Sequence, residues 1–365
     1  MKPYFDVLPE HFDTLMFWSD EELAALEGSA VVSKIGKKSA NEAFRTHIIP
    51  KLQQDPKAFN FDELTTEALY SMCHRMGSTI MAYAFDMEKP GEAPGGSKSE
   101  EDGWEEDEDE TETLPKGMVP LADMLNADAE RNNAKLFYEE DKVVMKTIRA
   151  VGKGEELFND YGPLPNADVL RRYGYVTSNY DQYDVVEISL EIVKAAARSM
   201  LQMSDGDFDA RLHYLDEQGV LDDGYDIAHP SNEDGQFPEE LCIMLNTVTL
   251  PKTDFEKLQQ KQKLPKPDLS QEAVRLLKII CLARRTRYMN DDGEDVTMSG
   301  SADASNKLTR REMAQHVVRG EKVVLQEAAD VLDGMAGDTN KKRKADTPEH
   351  EASEVRKVKA RVQKG

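Results

Sequence analysis

The sequence predicts an α+β fold in which two largely helical segments flank a segment of short strands and tight turns. In the first segment, apolar residues recur at steps of three and four from Leu64 to Ile80, which is the spacing of one helical face. In the middle segment, Lys135–Tyr138 and Val143–Lys146 flank Glu140-Asp141, a pattern typical of a β-hairpin. Toward the end of the chain the helical spacing returns, most clearly from Val274 to Cys281.

The net charge limits the classes of partner that the protein can bind, and the hydropathy argues against a membrane span. The chain has 365 residues and a formal net charge of −24, and its length suits two domains with tails. Because so acidic a chain repels phosphates, we expect no direct nucleic-acid binding, and a basic protein is the better partner. No run approaches the ~18 apolar residues of a membrane span, and the N-terminus lacks the apolar core of a signal peptide.

The cysteines give no sign of a metal site. Cys73, Cys242 and Cys281 lie far apart in apolar, helix-like surroundings. A zinc site or a disulfide framework needs clustered ligands or paired spacings. The sequence therefore predicts buried free thiols, no bound metal and a reducing compartment.

The first segment, residues 1–87, is predicted to be mainly helical, and residues 88–115 differ sharply from it. They include EKPGEAPGGSKSEEDGWEEDEDETET, which is rich in proline, glycine and acidic residues. Such a composition cannot bury enough apolar surface to offset the entropy of ordering, so we expect a disordered loop. A solvated spacer is the favoured interpretation, and a docking site for a basic partner remains the alternative.

Residues 116–178 are predicted to hold the strands and turns. After the hairpin, Gly152-Lys153-Gly154 indicates a turn and Glu156–Phe158 a short strand that ends near Tyr161. Asn166 is a good N-cap residue and Gly174 is a good terminating residue, so we expect a short helix between them.

Residues 179–336 are predicted to be mostly helical, and they lack clustered catalytic residue types. Residues 337–365 form a basic tail that we expect to be disordered. It contains Lys341-Lys342-Arg343-Lys344, which is typical of a nuclear import signal. A merely solubilising tail is an equally weighted alternative.

Two stretches carry residue types that indicate chemistry. The first runs from Val119 to Asp128 and includes Asn126, and the second runs from Glu156 to Gly162 and places Tyr161 where a strand ends. A tyrosine in such a place usually serves packing, so Tyr161 alone is weak evidence of catalysis. The two stretches together are more specific.

These stretches resemble the two C-terminal motifs of SET-domain lysine methyltransferases. RMGSTIMAYAFDMEK, GMVPLADMLNADAERNNA and YGPLPNADVLRRYGYV are similar to the branch that comprises Rubisco large-subunit methyltransferase and the SETD6-like enzymes, and within it to the fungal ribosomal lysine methyltransferases. LTRREMAQHVVRGEKVVL is similar to the end of the helical domain of that branch. The resemblance implies a SET-domain β-fold with a helical insert at 1–87 and a C-terminal core at 116–178. An all-α substrate-binding domain at 179–336 would follow.

The resemblance also implies roles for single residues. Tyr161 stands at the position of the family's catalytic tyrosine. Asn126 and Ala127 stand where the family holds S-adenosylmethionine. Most members have histidine in place of Ala127, but that position mainly contributes backbone atoms. Tyr173 would contact the cofactor or shape the lysine channel, and Tyr83 would line the same cleft as a substrate-binding residue. For Tyr173 and Tyr83, plain packing remains an open alternative.

These residue types suit the transfer of a methyl group to a lysine amine by in-line displacement. Free lysine has a pKa near ~10.4 and must lose its proton, which desolvation in an apolar channel favours. A tyrosine hydroxyl at the end of the channel would orient the amine, and aromatic faces tolerate the cationic sulfonium. Together with this chemistry, the resemblance implies a protein-lysine N-methyltransferase that uses S-adenosylmethionine and acts on a large-subunit ribosomal protein. From the basic tail we expect it in the nucleus, with the cytoplasm as an additional location left open.

Two alternatives concern activity. In the family, a glycine-rich strand-turn that contacts the cofactor precedes the region that begins PYFDVLP here, and the present sequence starts at Met1. We therefore expect the N-terminal part of the SET fold to be missing and S-adenosylmethionine to bind weakly. A truncated, non-catalytic protein that still binds substrate is the first alternative. An acidic chaperone of basic proteins, resting on the acidic loop alone, is the second.

Overall fold

The computed structural model describes residues 2–59, 64–87, 114–201, 203–232, 235–288 and 308–345. The chain divides into two compact units, the first formed by Met1–Val186 with Arg287–Lys322 and the second by Glu187–Thr286 with Val323–Gly365. The predictions for the loop at 88–113 and for the tail beyond residue 345 lie outside the described residues.

Within its described residues, the first unit combines helices with three two-stranded sheets. Its helices before the long C-terminal one are α1 (Lys2–Phe5), α2 (Asp20–Leu23), α3 (Lys37–Ala43), α4 (Ile49–Gln54), α5 (Thr66–Tyr83) and α6 (Asn166–Tyr173). Its strands are β1 (Ala84–Asp86), β2 (Lys116–Met118), β3 (Asn126–Ala127), β4 (Ala134–Glu139), β5 (Lys142–Thr147) and β6 (Phe158–Asn159). The pairs β1–β2 and β4–β5 are antiparallel, and β3–β6 is parallel.

The second unit is mainly helical. Its elements in chain order are β7 (Val186–Ser189), α7 (Leu190–Met200), α8 (Asp205–Glu217), β8 (Gly224–Ile227), α9 (Glu239–Thr249), α10 (Lys252–Gln260) and α11 (Gln271–Arg285). The last helix, α12 (Arg310–Ala345), begins in the first unit and continues into the second.

The helix α5 confirms the predicted helical segment but not the whole of its predicted core-facing stripe. Thr65 caps α5, because its side-chain oxygen accepts a hydrogen bond from the backbone of Ala68 at 3.2 Å. Leu69 is buried as expected, whereas Met76 and Ile80 are 43% and 51% exposed. Polar residues, His74, Ser78 and Thr79, are buried instead, so apolar spacing alone did not identify the buried face.

The hairpin of the middle segment is confirmed. Phe137 of β4 lies opposite Val144 of β5, and the strands meet at the predicted Glu140-Asp141 turn. Ala134 and Leu136 of β4 are buried while Lys135 and Phe137 are exposed. This alternation is the one that a half-buried strand requires.

The core of the first unit surrounds α6. Leu170 of α6 packs in one cluster with Leu15 and Trp18 from the N-terminal segment and with Met313 and Val317 of α12. The sequence placed residues 179–336 in a single domain, whereas the structure groups 287–322 with the first unit. The physical reason is this packing of α12 against segments more than 100 residues away, which helical spacing alone does not reveal.

The second unit is not all-α, which corrects the predicted fold of that domain. β7 and β8 pair in a two-stranded sheet. Val186, Ile188, Tyr225 and Ile227 are buried at alternate positions along the two strands. Around them the helices build a core that includes Val193, Leu241, Met244, Leu277 and Ile280.

Two further predictions can be compared with the structure. Cys73, Cys242 and Cys281 are buried free thiols, as predicted. The expectation of a disordered tail from residue 337 is wrong at its start, because the backbone of α12 stays helical to Ala345. Residues 341–345 are all lysine, arginine or alanine, which favour helix, and the next proline is Pro348. Within the described residues, no helix is long and apolar enough to cross a membrane.

Candidate active site

A cleft in the first unit brings together three of the five predicted site residues. Tyr83 ends α5, Tyr161 follows β6, and Tyr173 ends α6, and all three line this cleft. Asn126 and Ala127 lie on β3, directly after Leu125, which also lines the cleft. The structure therefore gathers the tyrosines at one place and puts the β3 pair beside them.

The pairing of β3 with β6 positions Tyr161. Asn126 lies opposite Phe158 and Ala127 opposite Asn159 in a parallel register. The buried Asn133 fastens the start of β6, because its amide oxygen accepts from the backbone N–H of Phe158 at 2.9 Å. The chain leaves β6 at Asp160, and Tyr161 follows at the point where the strand ends, as the sequence predicts.

Tyr161 and Tyr173 form a stacked aromatic pair. Their ring centroids are 4.1 Å apart and their planes differ by 14°. Gly174 allows α6 to end here, since it adopts the left-handed conformation with φ of 79°. Because α6 also packs in the core through Leu170, the stack joins the cleft to a rigid part of the unit.

The Tyr161 hydroxyl stays neutral at ordinary pH. Burial raises the pKa of Tyr161 well above its usual value, and the neighbouring Tyr173 and Tyr83 raise it further. In the described part of the chain, no group makes a hydrogen bond to this hydroxyl. The hydroxyl therefore offers a neutral donor and acceptor to a molecule in the cleft, and it is a poor proton-abstracting base.

Asp123 is a cleft residue whose role the sequence analysis missed. It is 7% exposed, and one of its carboxylate oxygens accepts a hydrogen bond from the hydroxyl of Tyr4. Among the described residues, no donor reaches the other oxygen, Oδ1. A buried acceptor without a donor is costly, so Asp123 suits a donor group that enters the cleft. The signal was an acidic residue inside the apolar run PLADML.

Two more carboxylates line the cleft, and both are held in place. Asp86 of β1 forms an ion pair with Lys116 at 2.9 Å. Asp160 accepts from the Asn132 amide and from the Gly162 backbone N–H, each at 2.8 Å. The cleft is thus lined by acceptors and aromatic rings, a combination suited to a cationic ligand that also carries hydrogen-bond donors.

Asn126 is exposed and makes a hydrogen bond outside this lining. Its side-chain nitrogen donates to Oε1 of Glu156 at 2.7 Å. The interaction links the two stretches that carried the sequence prediction, since Asn126 belongs to the first and Glu156 to the second.

Two tyrosines behind the stack were not predicted. The ring of Tyr175 lies 6.5 Å from that of Tyr173, and Tyr180 is fully buried. Burial raises the pKa of both hydroxyls, and the buried carboxylate of Asp128 raises it further. Tyr175 lies within the quoted passage ending YGYV, so spacing along that motif was the available signal.

Comparison with known proteins identifies relatives of this chain. The SET domain family matches residues 14–162. Ribosomal lysine N-methyltransferase 4 of Saccharomyces cerevisiae is 32% identical over 260 residues, which are 68% of this chain and 51% of the yeast protein. N-lysine methyltransferase setd6 of Xenopus laevis is 28% identical over 358 residues, 90% of this chain and 74% of that protein. The chain thus spans about half the length of the yeast relative that it matches.

Solved structures show the same fold. Rubisco LSMT bound to AdoMet superposes with a TM-score of 0.58 at 21% identity, covering 92% of this chain and 70% of that one. The SET domain of LSMT bound to lysine and AdoHcy gives a TM-score of 0.59 at 20% identity, with 91% and 70% coverage. The predicted SET-domain fold is confirmed. Residues 14–162 of the chain therefore carry a SET domain, the domain that the sequence motifs predict.

Proposed function

We propose that this protein transfers a methyl group from S-adenosylmethionine to the side-chain amine of a lysine in a protein. One observation carries the proposal. The neutral hydroxyl of the half-buried Tyr161 lies in a cleft lined by aromatic rings and carboxylates, just after the strand β6 within the second stretch, Glu156–Gly162. This is the arrangement that aligning an amine requires.

The side chains of the cleft fit S-adenosylmethionine by their chemistry. The cofactor carries a sulfonium, an ammonium and ribose hydroxyls, which are a cationic centre and several hydrogen-bond donors. The carboxylates of Asp123 and Asp160 are acceptors, and the stacked rings of Tyr161 and Tyr173 offer faces to a cation. Asn126 on β3 would hold the cofactor beside them, together with the backbone of Ala127.

The bound cofactor would supply a methyl group attached to its positively charged sulfur. In the transfer, the lysine Nζ forms a bond to the methyl carbon while the bond between the sulfur and that carbon breaks. Tyr161 accepts or donates a hydrogen bond at the amine and so fixes the direction of its lone pair. Since the raised pKa of Tyr161 keeps the hydroxyl protonated, the proton of the incoming ammonium leaves to water. The half-buried tyrosines of the cleft limit the access of water to the amine, which favours its neutral form.

A basic ribosomal protein is the substrate class that we propose. The yeast relative, at 32% identity, is named for ribosomal lysine methylation. The net charge of −24 would attract a basic substrate and speed its encounter with the cleft. The acidic residues of the cleft itself, Asp86, Asp123 and Asp160, act in the same direction at short range.

We also propose that the protein accumulates in the nucleus. The support is the basic run Lys341-Lys342-Arg343-Lys344, which continues the backbone of α12 near its end. Clustered lysine and arginine side chains are what import receptors bind.

The test is a transfer assay with methyl-labelled S-adenosylmethionine and purified large-subunit ribosomal proteins. Millimolar cofactor is used so that weak cofactor binding does not mask the reaction. We expect label on lysine in one ribosomal protein and little label on histones, a second set of basic proteins. Equal labelling of histones would contradict the substrate class, and no label on any protein would contradict the proposed activity.

A further inference from the structure

The N-terminus of α6 is held by a carboxylate that is distant in sequence. The backbone N–H of Asn166 donates to Oδ1 of Asp184 at 2.8 Å. The first N–H groups of a helix have no partner within the helix, and a negative charge at this end is favourable. Asp184, which is 3% exposed, therefore caps α6 from outside the helix.

The side chain of Asn166 strengthens the same attachment. Its nitrogen donates to Oδ1 of Asp181 at 2.9 Å, and its oxygen accepts from the backbone of Thr177 at 3.0 Å. Asn166 itself is fully buried. The sequence predicted Asn166 as the N-cap, but Pro165 occupies that position and Asn166 is the first helical residue. The cap is supplied by Asp184 instead.

The glycine at residue 320 of α12 leaves room for this carboxylate, which a side chain at that position would force to move. A Cβ atom on Gly320 would lie 2.0 Å from Oδ2 of Asp184. One turn earlier on α12, Nε2 of His316 lies 2.8 Å from Oδ1 of Asp181. The same face of α12 therefore contacts both aspartates that hold Asn166.

The other end of α6 lies in the cleft. Tyr173 is the last residue of the helix, and its ring stacks on that of Tyr161. Val169 and Leu170, between the two ends, are fully buried. A helix of eight residues is about 12 Å long, and its backbone hydrogen bonds connect the two ends, so we expect a displacement at Asn166 to shift Tyr173.

We propose that Asp184 is a positioning residue for the methyl transfer: packed against Gly320, its carboxylate fixes α6 and thereby holds Tyr173 against Tyr161. The inference rests on the proposed function. Asp184 itself does not line the cleft; it acts through the helix. A misplacement of about 1 Å can lower a catalytic rate by up to about 100-fold, so a small shift of α6 is enough for a measurable effect.

The variant Gly320→Ala tests this proposal without substituting Asp184 or any residue that lines the cleft. The added methyl group displaces the Asp184 carboxylate from Asn166. Gly334→Ala is the matched control, because Gly334 lies on the same helix with nothing within 4 Å of its Cβ position. We expect Gly320→Ala to lower kcat by about tenfold with little change in the KM for the lysine substrate, and Gly334→Ala to behave as the wild type.

Hydrogen exchange supplies a readout that is independent of activity. We expect the amides of α6 to exchange faster in Gly320→Ala than in Gly334→Ala, at a temperature where circular dichroism shows both fully folded. Unchanged exchange with unchanged kcat would overturn the inference. Should Gly320→Ala not fold, Asp184→Ala replaces it, because alanine removes the oxygen that accepts from Asn166: faster exchange in α6 and a lower kcat support the inference, and wild-type values of both overturn it. A wild-type protein that transfers no methyl group would refute the proposed function, while exchange still decides whether Asp184 holds α6.

Discussion

Gly174→Ala is expected to destabilise the first unit strongly. Gly174 ends α6 with φ of 79° and ψ of 29°. A Cβ atom at this position would lie 2.8 Å from the carbonyl carbon of Asp13 and 2.8 Å from the amide nitrogen of Thr14. Both contacts are with backbone atoms beside the buried Leu15, so no change of side-chain rotamer relieves them.

The expected loss has two contributions. A left-handed conformation costs an L-residue about 1–2 kcal/mol, and overpacking a close contact costs about 1–3 kcal/mol more. Gly36→Ala is the control, because Gly36 has a similar conformation, φ of 69° and ψ of 16°, with nothing within 4 Å of its Cβ position. The free energy of unfolding should therefore fall by roughly 2–5 kcal/mol in Gly174→Ala and by only the conformational 1–2 kcal/mol in Gly36→Ala.

Urea denaturation followed by tryptophan fluorescence measures this difference. Trp18 is 2% exposed and belongs to the core cluster that contains Leu170 of α6. The only other tryptophan of the sequence is Trp104, so a Trp104→Phe background makes the signal report on the first unit. Equal losses in Gly174→Ala and Gly36→Ala would refute the close contact between the end of α6 and residues 13–14.

Three further predictions concern pH, the loop and the tail. Burial raises the pKa of Asp184 to about 6 from 3.8, so the stability contributed by its protonated form is complete below about pH 4 and lost as the pH rises through about 6. The free energy of unfolding of Asp184→Asn, relative to the wild type, should therefore rise by about 3 kcal/mol between pH 4 and pH 7. A difference in urea titrations that does not change with pH would contradict this. Replacing residues 88–113 with a short glycine–serine linker should change the Tm by less than about 2 °C. The two ends of this segment are already held together, because β1 pairs with β2 and the Met87 N–H donates to the Pro115 carbonyl at 2.8 Å. A large drop in Tm measured by calorimetry would show that residues 88–113 belong to the fold. Residues 337–365 fused to a fluorescent reporter should carry it into the nucleus, and a reporter that stays in the cytoplasm would rule out the import signal.

Local patterns in the sequence predicted the elements whose partners are near in the chain. The hairpin of β4 and β5 needs only two alternating runs and a turn between them, and the end of α6 needs only Gly174. The tyrosines of the cleft were found through motif resemblance, which carries information about distant positions. The structure then placed Tyr161 and Tyr173 in ring contact.

What the sequence did not predict depends on contacts between distant segments. The cap of α6 comes from Asp184, and the core around Trp18 takes Met313 from α12. Asp123 was quoted within a motif but was not assigned a role, because its burial depends on Tyr4 and the surrounding turn. The pair β7–β8 was missed, since four-residue strands between helices give too short a period-two signal.

The most direct test of the account is the turnover of Tyr161→Phe. The substitution keeps the ring that stacks on Tyr173 and removes only the hydroxyl that aligns the amine. Tyr214→Phe is the matched control, because it removes a buried hydroxyl of the second unit that donates to the Lys263 carbonyl at 3.0 Å.

Both variants and the wild type are assayed by mass spectrometry for methyl groups added to lysine at millimolar S-adenosylmethionine. We predict that Tyr161→Phe folds, binds the cofactor as the wild type does and loses at least about tenfold in turnover, a barrier increase of about 1.4 kcal/mol or more. Tyr214→Phe should keep its turnover. Turnover near the wild-type value in Tyr161→Phe would contradict the assignment of this tyrosine as the group that positions the amine.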